Sequence, residues 1–356
     1  MKVLLCEKDF HGHRKGYLRW LSGIDGIDFF SFAPENTGLP DDRFFPFDDS
    51  IQINTFRDYA PWVKRIRQIA LENRIDTVHI LDGDSIMRHF GYGLQMPGGT
   101  RLLITYHNFY PGVARRISYR LMTRGKKHAC VVHTESIKSQ LRSIGVSDVF
   151  HCEYPSFDFE RLSATDSAQS KREFGLSPDI PVIGIIGGLS SYKHILPFLR
   201  IMQGCRKEFQ LLICGRPSDI SPQEIENAAA PYKQKLHLIP RLLSEEEYRA
   251  AIAASDLIYS LYGTGFRGAS GPLTDGVCCR KMILSCAHGS LSEMTSRHHL
   301  GVTADVTDDA DILAKTETAL SQALTFRYDE TAEAYRALLK PGSFLATYKK
   351  IYLSLQ

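Results

Sequence analysis

Residues 265–293, GFRGASGPLTDGVCCRKMILSCAHGSLSE, run a glycine-dense loop into a helix, and the residues at the join are of the types that hold anions. Ser270 suits a helix N-cap, and Gly271 lets a ligand come into contact with the backbone. The unpaired N–H groups of a first helical turn, with the positive end of the helix dipole, suit a phosphate or diphosphate. A second stretch, 181–193, reads PVIGIIGGLSSYK: a buried strand, then Gly187-Gly188, two serines, and Lys193. Small residues there admit backbone donors to phosphate oxygens, and the lysine adds a point charge beside them. Within 181–193 neither GxGxxG nor a GKS/GKT loop is present, so a dinucleotide or P-loop site is not expected there. Taken alone, the serine-glycine helix start favours a glycine turn that caps a helix and binds nothing, and 181–193 has the parallel reading of a glycine turn with a solvated lysine. Two anion-ready loops in one half of the chain, both at strand carboxyl ends, point to function.

Three other groups of residues have chemistry to consider. Asp82-Gly83-Asp84 has the spacing of a divalent-ion motif, but the anion loops lie far along the chain, so a turn followed by a helix N-cap is expected. The 13 histidines show no HExxH or CxxC context, so no metal site is expected. Arg115, Arg116, Arg120, Arg124, Lys126 and Lys127, set among Ile117, Tyr119, Leu121 and Met122, make a basic amphipathic helix. Such a face is either simply solvated or rests on an anionic membrane, and the sequence leaves both open.

The elements that must position these residues alternate strand and helix through two successive runs. In the first, strands are expected at 3–6, 27–32, 77–81, 102–105 and 129–133, with helices at 14–21, 56–73, 113–124 and 135–143. In the second, strands fall at 182–186, 210–214, 236–239, 257–261 and 281–285, with helices at 194–203, 222–230, 244–254 and 309–323. Ser244 with Glu247 three residues on is a capping box. The polar run 163–170 reads as a linker, and 329–355 as two helices split at Pro341-Gly342. This alternation predicts an α/β protein with two doubly wound parallel sheets. The expected divisions are a domain over 1–162, a second over 171–325, and C-terminal helices over 326–356 that cross back to the first.

Composition narrows the function. A chain of 356 residues fits two domains, and a net charge of +3 gives no general pull toward nucleic acid. Eight cysteines without paired spacing, several of them in expected strands, point to a reducing cytosol. The first apolar run stops at Glu7, so no signal-peptide core is expected, and no stretch reaches the roughly 20 apolar residues of a membrane span.

In the order and spacing of these blocks the chain resembles the GT-B-fold glycosyltransferases, and within them the family 4 type that builds bacterial polysaccharides. The blocks IIGGLSSYK, LLICGRP, LIPRLLSEEEYRAAIAASDLIYSLY, SGPLTDGVCCRKMIL and HGSLSEM resemble its donor domain; DTVHILDGDS, LLITYHNFYPG and CVVHTESIKSQLRSIGV resemble its acceptor domain. The resemblance implies two Rossmann-like domains facing a cleft, and transfer of a sugar from a nucleoside diphosphate to a hydroxyl acceptor without metal or other cofactor. It implies that Gly187, Gly188 and Lys193 hold the diphosphate together with Ser270, Gly271, Pro272, Leu273 and Thr274. Gly215, Arg216, Pro240 and Arg241 would flank the nucleobase. His107 would lie near the transferred sugar, and His13 would bind acceptor or act as a base if configuration inverts. Two glutamates typical of the family fall by position on Phe266 and Thr274, neither of them acidic. An arginine usual in its first glycine loop is absent too, although Arg267 could supply that charge from the other side. Two alternatives stay open: a nucleotide-sugar epimerase on the same fold, and a non-catalytic nucleotide-sugar-binding subunit.

Overall fold

The computed structural model describes residues 1–8, 13–48, 53–124, 127–266 and 268–356, with the backbone alone at 13–15. Two compact units divide the chain: residues 1–154 with 341–356, and residues 155–340.

The first unit is built on seven strands: β1 (Lys2–Cys6), β2 (Asp28–Ala33), β3 (Phe44–Pro46), β4 (Thr77–Ile80), β5 (Arg101–Tyr106), β6 (His128–Val132) and β7 (Val149–His151). They lie in the order β3-β2-β1-β4-β5-β6-β7, and every pairing is parallel. The second unit carries β8 (Val182–Ile186), β9 (Gln210–Cys214), β10 (Leu236–Ile239), β11 (Leu257–Ser260), β12 (Met282–Cys286) and β13 (Gly301–Ala304). Their order is β10-β9-β8-β11-β12-β13, again all parallel. Central strands such as β8 and β9 are buried along their whole length, as a parallel sheet covered on both faces requires. In each sheet the order reverses beside the first strand, at β1/β4 and at β8/β11, which is where such sheets open for a ligand.

Three strands escape sequence reading: β3, β7 and β13, all short and all at sheet edges, where a strand needs little apolar signal. The stretch 163–170 is not an extended linker. It joins two helices, Phe159–Ala164 and Ser167–Glu173, the second capped by the Asp166 side chain on Gln169 N–H. Phe159 and Leu162 are buried in the second unit's core, so the chain has joined that unit from Pro155 on. The helix Glu330–Leu338 belongs there as well, where Arg336 Nε donates to the Cys278 carbonyl at 2.8 Å. Pro341 begins the last helix, Pro341–Ser354, where its missing N–H costs nothing. That helix belongs to the first unit, with Phe344, Tyr348 and Tyr352 fully buried.

Candidate functional site

In the second unit the glycine turn after β8 and the turn after β9 are packed backbone to backbone. Gly187 has φ +95° and donates its N–H to the Cys214 carbonyl at 2.9 Å; Gly215 has φ +148°, and a Cβ there would stand 1.9 Å from the Gly187 carbonyl oxygen. Leu189 N–H donates to the Arg216 carbonyl, and Gly215 N–H to that of Ile239 at the end of β10. The three strand ends thus form one rigid edge. Arg216 and Pro240 are exposed on it. Arg241 forms a two-pronged ion pair with Glu247 (2.8 and 2.6 Å), the same carboxylate that closes the capping box on Ser244.

Lys193 ends a short turn, Ser191–Lys193, and its side chain folds back so that Nζ donates to the Ile186 carbonyl at 2.9 Å. Only 7% exposed and without a carboxylate partner among the described residues, it is pulled down to about 8 by burial. A Cβ on Gly187 would lie 3.2 Å from Lys193 Nζ and 3.8 Å from Pro272 Cγ. The two anion-ready stretches, some 80 residues apart in the chain, therefore meet beside Gly187.

The helix Gly271–Cys278 starts where the sequence places it, with the Ser270 hydroxyl accepting from Leu273 N–H and a proline in its first turn. Pro272 has no N–H, so the main-chain donors that remain at this start are those of Ser270 and Gly271. Leu273 and Thr274 serve the fold: the first is wholly buried, and the second returns its hydroxyl to the Ser270 carbonyl. Asp275, on the helix's inner side, accepts from Ser156 and from Tyr248, both at 2.7 Å.

Sequence reading did not anticipate an aromatic stack beside this loop. Tyr262 and Phe266 lie face to face (4.0 Å, 15°), and Tyr192, 53% exposed, is parallel to both at about 6 Å. The Tyr262 hydroxyl shares a 2.9 Å hydrogen bond with Ser270 Oγ, tying the stack to the helix start. Gly263 N–H donates to the Tyr192 carbonyl, His288 Nε2 donates to the Gly263 carbonyl, and Ser290 donates to that of Gly268. A hydrophobic alternation and three scattered tyrosine and phenylalanine positions carry no advance signal of such a stack. Arg267 lies outside the described residues.

In the first unit Asp82 and Asp84 follow β4, and His107 follows β5. Asp82 caps the short helix Gly83–Ile86 by accepting from Ser85 N–H, the role expected from sequence. Among the described residues no group of three or more histidine, cysteine or acidic side chains is gathered as a metal site. His107 Nε2 lies 3.0 Å from the Leu81 carbonyl, which can only accept; Nε2 therefore carries the proton, and in the neutral ring Nδ1 is the acceptor. Beside it stand His133 (rings 5.2 Å apart) and Tyr17 (6.1 Å), and Tyr17 bonds to Tyr348 of the last helix. Deeper in the same unit His79 is lowered to about 3 by burial and by His107, held between Tyr352 (2.7 Å) and Thr105 (2.8 Å). His13 begins the helix His13–Leu21, and its side chain lies outside the described residues.

Two parallel sheets of seven and six strands, each with its loops at the strand carboxyl ends, are the GT-B fold of glycosyltransferases. A glycosyltransferase from Rickettsia africae ESF-5 matches with a TM-score of 0.77 at 14% identity, covering 99% of this chain and 98% of that one. Sucrose-phosphate synthase from Thermosynechococcus elongatus matches at 0.77 and 14% (100% and 99% covered), and Anabaena HepE in complex with UDP at 0.75 and 12% (99% and 100%). No family model and no curated protein matches the sequence.

Proposed function

We propose that this protein is a glycosyltransferase that moves a sugar from a nucleoside diphosphate to a hydroxyl acceptor, a glycan or lipid-linked glycan, in the making of surface polysaccharide. One observation carries the reading: a buried lysine with no carboxylate partner among the described residues, one glycine away from a helix start. Burying an ammonium without a counter-charge is costly, and a bound anion offsets that cost. The diphosphate that leaves as the sugar departs gathers negative charge, and in this reading Lys193 and the N–H groups of Ser270 and Gly271 meet it. Anabaena HepE, with the same fold, is described with UDP and with UDP-glucose. His107 serves by hydrogen bonding to the sugar or to the developing charge, and His13 is the candidate base should configuration invert.

Thermal shift with nucleosides and their mono- and diphosphates tests the reading. A diphosphate present at about 100 times its Kd adds roughly 2.7 kcal/mol to the stability of the folded form, so its melting shift should exceed that of the monophosphate. If no nucleoside diphosphate or nucleotide sugar shifts the melting, the proposal fails. The binding-subunit alternative keeps one supporting observation, the Tyr262–Phe266 stack where the related family carries an acid. It predicts the same shift without transfer or hydrolysis.

The acceptor side of the proposal includes an anionic membrane surface at the cytoplasmic face. On the helix Val113–Met122, Val113 (75% exposed), Ile117 (45%) and Leu121 (41%) recur every four residues as an apolar stripe. Arg116, Arg120 and, just past the helix, Arg124 run beside it at the same spacing, with Arg115 over the Tyr110 ring. Lys127 Nζ donates to the Gly98 carbonyl, and Lys126 lies outside the described residues. No helix among the described residues is long and apolar enough to cross a membrane. Sedimentation with phosphatidylglycerol vesicles should bring the protein down, and Arg116→Glu with Arg124→Glu should weaken this by about 30-fold or more, at about 1 kcal/mol per basic charge. Equal binding to neutral vesicles, or binding untouched by molar salt, would remove the membrane from the proposal.

A further inference from the structure

Two hydrogen-bond contacts of Asp84 lie on the main chain of the turn that carries His107. Asp84 Oδ2 accepts three N–H donors, from the main chain of His107 (2.9 Å), the main chain of Asn108 (3.1 Å) and the Asn108 amide (3.4 Å). Its Oδ1 is buried without a hydrogen bond. The approach is possible because residue 83 is glycine: a Cβ there would stand 2.4 Å from Ile104 and 2.7 Å from Tyr106, both on β5. His107 is therefore held twice from the end of β4, its backbone by Asp84 and its ring by the Leu81 carbonyl. The negative charge strengthens all three hydrogen bonds, so a neutral side chain at 84 would hold this turn less firmly.

We infer that Asp84 is a positioning residue for His107: its ionised carboxylate holds the turn that carries the His107 ring, and protonation of that carboxylate loosens the turn. Burial and the neighbouring Asp82 push Asp84 up to about 7, against the pull of the three N–H donors. The other groups around it are His107, Tyr106, Tyr110 and Tyr119, with Arg115 beside the last two. Asp84 is thus neutral and the turn loose below about pH 7; above it the carboxylate is charged and the turn is held. The significance for catalysis rests on the glycosyltransferase reading, whereas the coupling itself does not.

NMR of the wild-type protein, following the His107 and Asn108 amides and the His107 ring from about pH 5 to about pH 9, tests the coupling without any substrate. Both amides should move in one step near neutrality, with the ring in its Nε2–H form above it. Asp84→Asn should abolish the step and leave both amides near their low-pH positions, and Asp84→Ala should lower kcat roughly tenfold or more with the donor KM within about twofold. Amides that do not move with pH in the wild type, or an unchanged step in Asp84→Asn, would overturn the inference whether or not sugar is transferred. A clear step in a protein that transfers nothing would support the coupling and count against the glycosyltransferase reading instead.

Discussion

Lys193→Met is expected to weaken binding of a nucleoside diphosphate by about 10- to 100-fold, read by calorimetry. A hydrogen bond to a charged group contributes about 1.5–3 kcal/mol, and every 1.4 kcal/mol is a factor of ten. Methionine keeps most of the volume, so the loss reports the charge. The pH dependence should go the same way. In the free protein Lys193 is pulled down to about 8, and a bound anion raises it again. Affinity should therefore be flat below about pH 8 and fall above it, as binding comes to require taking up a proton; Lys193→Met should show no such fall. The effect on stability has the opposite sign. Between about pH 8 and the ordinary lysine value the unfolded chain holds a proton that the folded one has lost, so the fold gains stability with rising pH through this group. Affinity that is equal in the two proteins, or that rises above pH 8, would take Lys193 out of the site.

The largest effect on stability should come from Gly215→Ala. A Cβ there would lie 1.9 Å from the Gly187 carbonyl oxygen and 2.5 Å from its carbon, and backbone cannot swing aside as a side chain can. With φ at +148° added, the cost should be about 2–4 kcal/mol, lowering the melting of the second unit by roughly 5–15 °C. Gly188→Ala is the informative partner. Nothing lies within 4 Å of its would-be Cβ, so the fold should lose less than about 1 kcal/mol. If the diphosphate lies in that open space, as the proposed function requires, Gly188→Ala should still cut nucleotide binding by about tenfold or more. Differential scanning calorimetry with binding measured on the same samples separates the two glycines. Equal melting of the Gly215→Ala and wild-type proteins would refute the packing argument, and unchanged binding in Gly188→Ala would move the diphosphate elsewhere.

Much of the scaffold is legible because a buried parallel strand has a plain signature. Val182–Ile186 and Gln210–Cys214 are bounded in the structure as the sequence bounds them, each a largely apolar run closed by a turn residue. Capping chemistry is equally local: Ser244 with Glu247 and Ser270 with Leu273 form the helix starts their residue types predict. The edge strands β3, β7 and β13 lack that signature, and the polar surface of 163–170 conceals a pair of short helices whose apolar anchors, Phe159 and Leu162, precede it.

By itself, then, the sequence determined two α/β halves, the helix start at Ser270, the glycine turn before Lys193 and the histidine after β5. Each depends on neighbours within a few residues, and chain-local sterics and hydrogen bonding decide them. Only the tertiary structure decided that Lys193 and Pro272 flank the same glycine, and that Arg241 is committed to Glu247. The same holds for Phe266, which faces a tyrosine, and for Asp84, which reaches the turn of His107. Lys193 and Pro272 are 79 residues apart and Asp84 and His107 are 23 apart, and strand order, not spacing, brings each of these two pairs together. A reversal of order at β8/β11 places two loops side by side at one sheet edge, and the adjacency of β4 and β5 sets a carboxylate beneath a histidine. Burial then determines charge: Lys193 falls to about 8 and Asp84 rises to about 7 because water is excluded by elements the local sequence does not contain.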